Sequence, residues 1–210
     1  MIIAGDGPTA SGKGTISKAL AAHYGLPWLD TGLLYRAVGR QVALNGGNAD
    51  NSADAVAACD FPDELLDDPV LRDEATGGLA SRVSVHPEVR AALNKRQVDF
   101  ANQPEGAVLD GRDIGTVIAP HAEVKLFVTA SAEIRAERRF KEMQGRGQDV
   151  DYETILADIR ARDKRDSERA DAPLKAAEDA HLLDTGNLTI GAAVQRAIAL
   201  VDAKIENRPA

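Results

Sequence analysis

Apolar positions along the chain fall into short runs separated by longer amphipathic stretches. Residues 1–4 (Met1-Ile2-Ile3-Ala4) read as the start of a buried strand, running from edge to core. Residues 5–14 are glycine-rich, and Ile16, Ala19, Leu20 and His23 then recur at helical spacing over residues 15–24. A turn and a second short strand occupy residues 25–30. Residues 33–44 resume a helical pattern, which Asn45-Gly46-Gly47-Asn48 ends. Residues 48–78 show no clear period and are rich in Asp, Ala and Gly, with Pro62 and Pro69 among them. Residues 79–101 predict a helix–turn–helix, with Pro87 in a first turn and Val89, Leu93, Arg96 and Phe100 at 3–4 spacing.

Ala107-Val108-Leu109-Asp110 predicts a strand ending in a carboxylate, and residues 111–120 a loop. Residues 124–128 predict another buried strand. Ser131 is placed to cap a helix running to about Met143, which Gly145-Arg146-Gly147 breaks. Asp151 can cap the next helix, which holds Ile155, Leu156 and Ile159. Residues 163–173 read as charged and irregular. A last strand at 181–184 and an amphipathic helix at 190–205 complete the pattern. Short apolar strands alternating with helices imply an α/β fold: a parallel β-sheet core with helices on both faces.

At 210 residues the chain is one large domain, or a core with a small insertion. Its 44% apolar content is enough to fill a core. No apolar run approaches the ~18 residues of a membrane span. The N-terminus shows no basic n-region or cleavage site. One cysteine, Cys59, excludes an internal disulfide and a Cys-based zinc site. His23, His86, His121 and His181 lack metal-ligand spacing. A cytoplasmic location, no membrane partner and a monomer are the expectation. The net charge of −8 argues against nucleic acid as a partner. The charge is uneven: residues 135–169 hold 10 of the 25 basic and 9 of the 33 acidic groups. That segment is a candidate for handling anions, although a solvated helix laced with i,i+4 pairs has the same composition.

Gly7-Pro8-Thr9-Ala10-Ser11-Gly12-Lys13-Gly14-Thr15 carries the strongest chemistry. It follows a strand and opens a helix, the context a phosphate-binding loop needs. Its glycines let backbone N–H groups face inward, and the helix N-terminus attracts phosphate oxygens. Lys13 would bridge the β- and γ-phosphates. The usual Ser or Thr after the lysine is Gly14, and the hydroxyl comes one position later, at Thr15. The Gly-Lys-Gly-Thr form resembles nucleoside monophosphate kinases rather than GTPases.

Asp110 sits where a strand-end carboxylate orients Mg²⁺, and Asp110 and Thr15 are the candidate metal ligands, directly or through water. Asp6 is a rival for the closer carboxylate, or a loop cap. Phosphoryl transfer between nucleotides also needs cations that close over the phosphates. Candidates are Arg36, Arg90, Arg112, Arg135, Arg138, Arg139, Arg162, Arg165 and Arg169. Arg135, Arg138 and Arg139 share a helix face; Arg162 and Arg169 are two turns apart. Gly145 and Gly147 are candidate lid hinges. Thr31 and Arg36 offer a hydroxyl and a guanidinium to an acceptor phosphate, whereas Trp28 reads as core packing. Ser81, Arg90, Arg112 and Asp113 could supply the donors and acceptors for a pyrimidine edge.

Together these pieces resemble the bacterial cytidylate kinase family. The matches are Asp6-Gly7-Pro8 with Gly12-Lys13-Gly14-Thr15, Leu29-Asp30-Thr31-Gly32 with Tyr35-Arg36, and Pro87-x-Val89-Arg90. They continue with Asp110-Gly111-Arg112-Asp113-x-Gly115-Thr116, Arg138-Arg139 and Arg162-Asp163-x-x-Asp166-x-x-Arg169, in order over nearly the whole chain. The resemblance implies a P-loop NTPase fold of nucleoside monophosphate kinase type, ATP with Mg²⁺ as donor, and conversion of CMP and dCMP to their diphosphates. It implies a core (1–33, 101–140 and 156–210), a monophosphate-binding region (34–100) and a small helical lid (141–155). Residues 60–78 are too short and too poor in β-branched residues for the family's small β-sheet insert, so a trimmed, more helical region is expected.

Residue by residue, Ser81, Arg90 and Asp113 look like cytosine readers, and Thr31, Arg36, Arg112 and Arg169 like acceptor-phosphate ligands. Arg162 and Asp166 look like ribose and phosphate contacts, and Arg138 and Arg139 like lid arginines near the donor phosphates. Lys13, Arg112, Arg138, Arg139, Arg162 and Arg169 form the expected catalytic set. A kinase for UMP, AMP or a shikimate-like acceptor is the nearest rival. A GTPase-like switch would need an Asn-Lys-x-Asp guanine reader, and Asn94-Lys95-Arg96-Gln97 is not one.

Overall fold

A computed structural model describes residues 1–206; the last four positions of the expected core segment 156–210 lie outside the described residues. Five strands, β1 (Ile2–Asp6), β2 (Trp28–Asp30), β3 (Ala107–Gly111), β4 (Val124–Thr129) and β5 (His181–Asp184), form one sheet in the order β2-β3-β1-β4-β5. Every neighbouring pair is parallel. The helices are α1 (Lys13–Tyr24), α2 (Thr31–Leu44), α3 (Ser52–Ala57), α4 (Glu74–Val83), α5 (Pro87–Ala101), α6 (Ala132–Gly145), α7 (Tyr152–Glu168) and α8 (Ile190–Glu206).

The central strands β1 and β3 are buried along their whole length and mostly apolar rather than alternating, whereas the edge strands β2 and β5 are partly exposed. Ile3, Val108 and Leu126 pack with α1 and α8 through Ile16, Leu20, Ala197 and Val201. Ile2, Ala4, Ala107 and Leu109 face the other way, toward Ala101 of α5 and Ile114 and Ile118 beyond β3. Two satellite cores lie outside the sheet. Leu34, Val38 and Val42 of α2 pack with Leu71, Val83, Val89 and Leu93. Ala136 of α6 packs with Ile155, Leu156 and Ile159 of α7. The expected caps are present: Ser131 Oγ accepts from Ile134 N at 3.3 Å and Asp151 from Thr154 N at 2.8 Å.

Several expectations need correcting. The first strand is the centre of the sheet, flanked by β3 and β4, not a path in from an edge. Residues 48–78 are ordered as α3, two 3₁₀ turns (Asp63–Asp67 and Pro69–Arg72) and the start of α4. Their buried apolar anchors, Ala49, Ala55, Ala58, Phe61, Leu65 and Leu71, are half alanines and are split among short turns by Pro62 and Pro69, so no sustained hydrophobic period announced them. The stretch after residue 163 is helical to Glu168, because Arg162 and Asp166 bury their charges in ion pairs. The loop after β3 contains a single π-helical turn, Ile114–Ile118.

The α2–α4 contact is unusually close, because Gly39 has no side chain. A Cβ there would lie 2.7 Å from Leu79 Cβ and 3.0 Å from the Ala80 backbone nitrogen. Alanine normally favours a helix over glycine by about 1 kcal/mol. Overpacking against backbone costs about 1–3 kcal/mol. Gly39→Ala should therefore lower Tm by a few degrees, and an unchanged or raised Tm in a thermal melt would show that the two helices can part freely.

Candidate active site

The chain leaves β1 at Asp6 and turns at once. Gly7 has φ +152°, and a Cβ there would fall 2.0 Å from the Val128 carbonyl oxygen, so only glycine fits. Gly12, at φ +87°, ends the loop, and no side chain caps the first turn of α1. The N–H groups of that turn are open to an anion. The loop is braced from outside the cleft. Arg135 Nη1 donates to the Thr9 carbonyl at 3.2 Å and its guanidinium pairs with Asp163 at 2.5 Å. Thr185 Oγ1 donates to the Ser11 carbonyl at 2.9 Å, and Arg138 Nη1 donates to Thr185 Oγ1 at 3.0 Å.

Lys13 Nζ lies 2.9 Å from Asp110 Oδ1. The other oxygen of Asp110, Oδ2, is buried without a hydrogen-bond partner, 3.4 Å from where a Gly14 Cβ would be. Asp30, directly across from Asp110 in the sheet register, has its pKa raised by burial and by the Asp110 charge. An unsatisfied carboxylate oxygen with a second carboxylate beside it suits a hydrated Mg²⁺, which keeps several of its waters.

Beyond Lys13 the cleft opens toward α2, α4, α5 and α7, with a cavity volume of about 190 Å³. Thr31 Oγ1 donates to the Asp110 carbonyl at 2.8 Å, which holds the start of α2 against the strand end. Arg36 Nη1 donates to the carbonyls of Leu71 and Asp73 at 2.7 and 2.9 Å. Burial, then Arg162, lowers the pKa of Arg36 to about 10. Arg112 Nε pairs with Asp166 at 2.8 Å. Burial disfavours both charges, but each partner outweighs it: the Arg112 pKa is raised and that of Asp166 lowered. Arg162 Nη1 meets Glu74 at 3.1 Å, Arg139 meets the same carboxylate, and Arg162 Nε is buried without a partner. Burial and neighbouring arginines lower the pKa of both Arg162 and Arg169. Those two sites favour their charged form less than free arginine does, and an arriving anion would reverse that.

At the far end Arg90 Nη2 reaches Asp113 Oδ2 at 2.5 Å, while Asp113 Oδ1 lies 3.5 Å from Arg169 Nη2. Arg90 also donates to Tyr35 Oη at 3.3 Å and Asp171 at 3.0 Å. Arg165 Nε donates to Ser81 Oγ at 3.0 Å.

The family model described as Cytidylate kinase matches residues 3–203. A protein named cytidylate kinase from Xanthobacter autotrophicus is 58% identical over 99% of this chain and 100% of its own length. Proteins of the same name from Rhodopseudomonas palustris and Caulobacter vibrioides are 55% and 54% identical, over 97% and 99% of this chain and 97% and 98% of theirs. The chain belongs to the cytidylate kinase family. A crystal structure of an uncharacterized protein from Eubacterium ventriosum is 18% identical with a TM-score of 0.57, covering 97% of this chain and 98% of its own, and supports the fold alone. Among the described residues no helix is long and apolar enough to cross a membrane.

All nine residues read as acceptor contacts in this cytidylate kinase family member line one cleft: Thr31, Arg36, Ser81, Arg90, Arg112, Asp113, Arg162, Asp166 and Arg169. Thr9, Ala10, Lys13, Gly14 and Asp110 line its other end. Thr15 is exposed and outside that lining; Gly14 is the residue next to Asp110. Gly7, Pro8, Ser11 and Gly12 shape the loop from behind. Arg138 is engaged with Thr185 outside the cleft, and Arg139 lines a smaller recess with Thr9 and Glu74. Sequence reasoning assigned no role to Asp30, Tyr35, Glu74 or Asp171, and named Arg165 only as one of nine candidate arginines. Asp30 and Tyr35 stand inside quoted motifs; Glu74 and Asp171 carry no local signal.

Between the two rival carboxylates the geometry divides the work. Asp110 meets Lys13, whereas Asp6 accepts from the Ile114 and Gly115 N–H groups at 2.8 Å each. Burial raises the Asp6 pKa to about 6 from 3.8, despite those two bonds. A raised carboxylate pKa means the folded state holds the proton longer. Its stabilising contribution is complete below pH ~4 and is lost as pH rises through ~6. Relative to Asp6→Asn, the protein should lose about 2 kcal/mol of unfolding free energy between pH 4 and pH 7. Parallel pH dependences in urea titrations of the two proteins would show that Asp6 ionises normally.

Proposed function

We propose that this protein transfers the γ-phosphoryl group of ATP to the phosphate of CMP, and of dCMP, giving ADP and the pyrimidine nucleoside diphosphate. The observation that carries the reading is the shared cleft: a phosphate loop with Lys13 at one end and nine acceptor-type residues at the other. An acceptor phosphate oxygen attacks the γ-phosphorus, the bond to the β–γ bridging oxygen breaks, and that oxygen leaves with ADP. No general base is needed, because a phosphate monoester is largely ionised at neutral pH.

In this reading the loop and Lys13 cradle the donor phosphates. Arg36, Arg112, Arg162 and Arg169 hold the acceptor phosphate and neutralise charge as it moves. Thr31 and Asp166 fix the ends of that cation set, and Ser81, Arg90 and Asp113 meet the base. Asp110, with Asp30 beside it, would hold Mg²⁺ through water, and the metal would neutralise the β- and γ-oxygens. Residues 34–100 form the acceptor-binding region and 141–155 the lid, hinged at Gly145 and Gly147. We place the enzyme in the cytoplasm, where its substrates are made.

The direct test is ADP release from ATP–Mg²⁺ with CMP, dCMP, UMP, AMP and GMP supplied singly. Selective turnover with CMP and dCMP is expected, and equal turnover with UMP or AMP would remove the base assignment. Lys13→Ala should cut kcat by about 10²–10³-fold, the scale of losing one preorganised charge-stabilising group. Removing Lys13 leaves the buried Asp110 carboxylate without its cation, so Tm should fall as well, and kcat is read well below the variant's melting range. Unchanged turnover would remove Lys13 from the mechanism.

A further inference from the structure

We propose that Asp6 is the positioning residue that frees Asp113 to meet the acceptor base, an inference that rests on the base-reading role given to Asp113 above. Asp113 stands at the N-terminus of the π-helical turn Ile114–Ile118. Its carbonyl accepts from Val117 N at 2.8 Å and Ile118 N at 3.2 Å, so it closes that turn. An aspartate at such a position ordinarily folds its carboxylate back onto the free N–H groups that follow. Here the Asp113 carboxylate makes no such bond. It points into the cleft, to Arg90 and Arg169.

The N–H groups it leaves are not abandoned. Asp6 Oδ1 accepts from Ile114 N and Asp6 Oδ2 from Gly115 N, both at 2.8 Å. Asp6 is the last residue of β1, only 4% exposed, and reaches the turn from a different strand. One carboxylate caps the turn so that the other can serve the cleft. Asparagine at position 6 could accept only one of the two N–H groups, because its amide nitrogen is itself a donor. Asp113, the residue at the head of the turn, could accept the freed N–H in its place, and doing so would withdraw that carboxylate from Arg90.

The test is steady-state kinetics with CMP, UMP and ATP on wild type, Asp6→Asn, Asp113→Asn and the double variant. Asp6→Asn should raise the KM for CMP about tenfold, the scale of one lost charge-assisted hydrogen bond, and leave the ATP KM within about twofold. It should also narrow the CMP-over-UMP ratio in kcat/KM, and the double variant should be no worse than Asp113→Asn. Gly115→Ala is the second probe. Its Cβ would lie 3.1 Å from Lys125 Cδ and 3.4 Å from Asp6 Oδ2, which displaces the same turn and should shift the same ratio more mildly. If Asp6→Asn does not fold, Gly115→Ala decides. CMP and ATP KM rising together, an intact ratio, or additive losses would overturn the inference. An Asp113→Asn variant that keeps the ratio would instead overturn the base assignment beneath it, and this inference with it.

Discussion

Positive charge gathered into one partly buried cleft has to be balanced before any substrate arrives. An unpaired guanidinium removed from water costs several kcal/mol, and that cost falls only when a carboxylate shares the site. The cleft meets this constraint pair by pair: Lys13 with Asp110, Arg90 with Asp113, Arg112 with Asp166 and Arg162 with Glu74. Each pair joins separate segments, α1 to β3, α5 to the turn after β3, that same region to α7, and α7 to α4. The charge balance is therefore also what ties the acceptor region to the core. A phosphate that enters need not create charge compensation. It exchanges one anion for another, and the exchange can be close to isoenergetic while redirecting the arginines.

The same pairing limits where the molecule can move. The root of the α6–α7 hairpin is fastened to the phosphate loop by Arg135 and, through Thr185, by Arg138. Its middle is fastened to α4 by Glu74, through Arg139 and Arg162. The far end, residues 144–149, is exposed and makes almost no buried contact. Any movement of the hairpin would be led by that tip, since its root and middle are held by these bonds. Arg138, which the family resemblance suggests as a lid arginine, is bonded to Thr185 in this brace.

Much of this was legible in the residue pattern, and the exceptions share a cause. Five strands and the long helices are visible because buried parallel strands are mostly apolar and the helices repeat at 3–4 spacing. The phosphate loop is visible because its glycines and Lys13 are adjacent in sequence. An apolar run does not name its neighbours, so Ile2–Asp6 could be recognised as a strand but not as the central one. Residues 163–168 look irregular because they are charged, and they are helical because Arg162 and Asp166 find partners far away in sequence. Glu74 and Asp171 escape notice for the same reason: their arginine partners Arg162 and Arg90 lie 88 and 81 positions away. Thr15 is exposed beside the loop and outside the cleft lining, so adjacency to Lys13 in sequence does not by itself put its hydroxyl on the same face of α1.

Asp6 and Asp110 show how little sequence is needed to separate two roles once the sheet exists. Both are aspartates at the carboxyl ends of adjacent parallel strands, and in register Asp110 pairs with Gly5 and Asp6 with Gly111. They are thus offset by one residue, and successive side chains on a strand point to opposite faces. Gly5 and Asp110 fall on the α1 side, where a Gly5 Cβ would lie 2.7 Å from Ser17 Oγ, so Asp110 meets Lys13. Asp6 falls on the opposite side, with Ile2 and Ala4, and so meets the turn that carries Asp113. A slip of one residue between β1 and β3 would break this division, because parity alone sends one carboxylate to Lys13 and the other to the turn that carries Asp113.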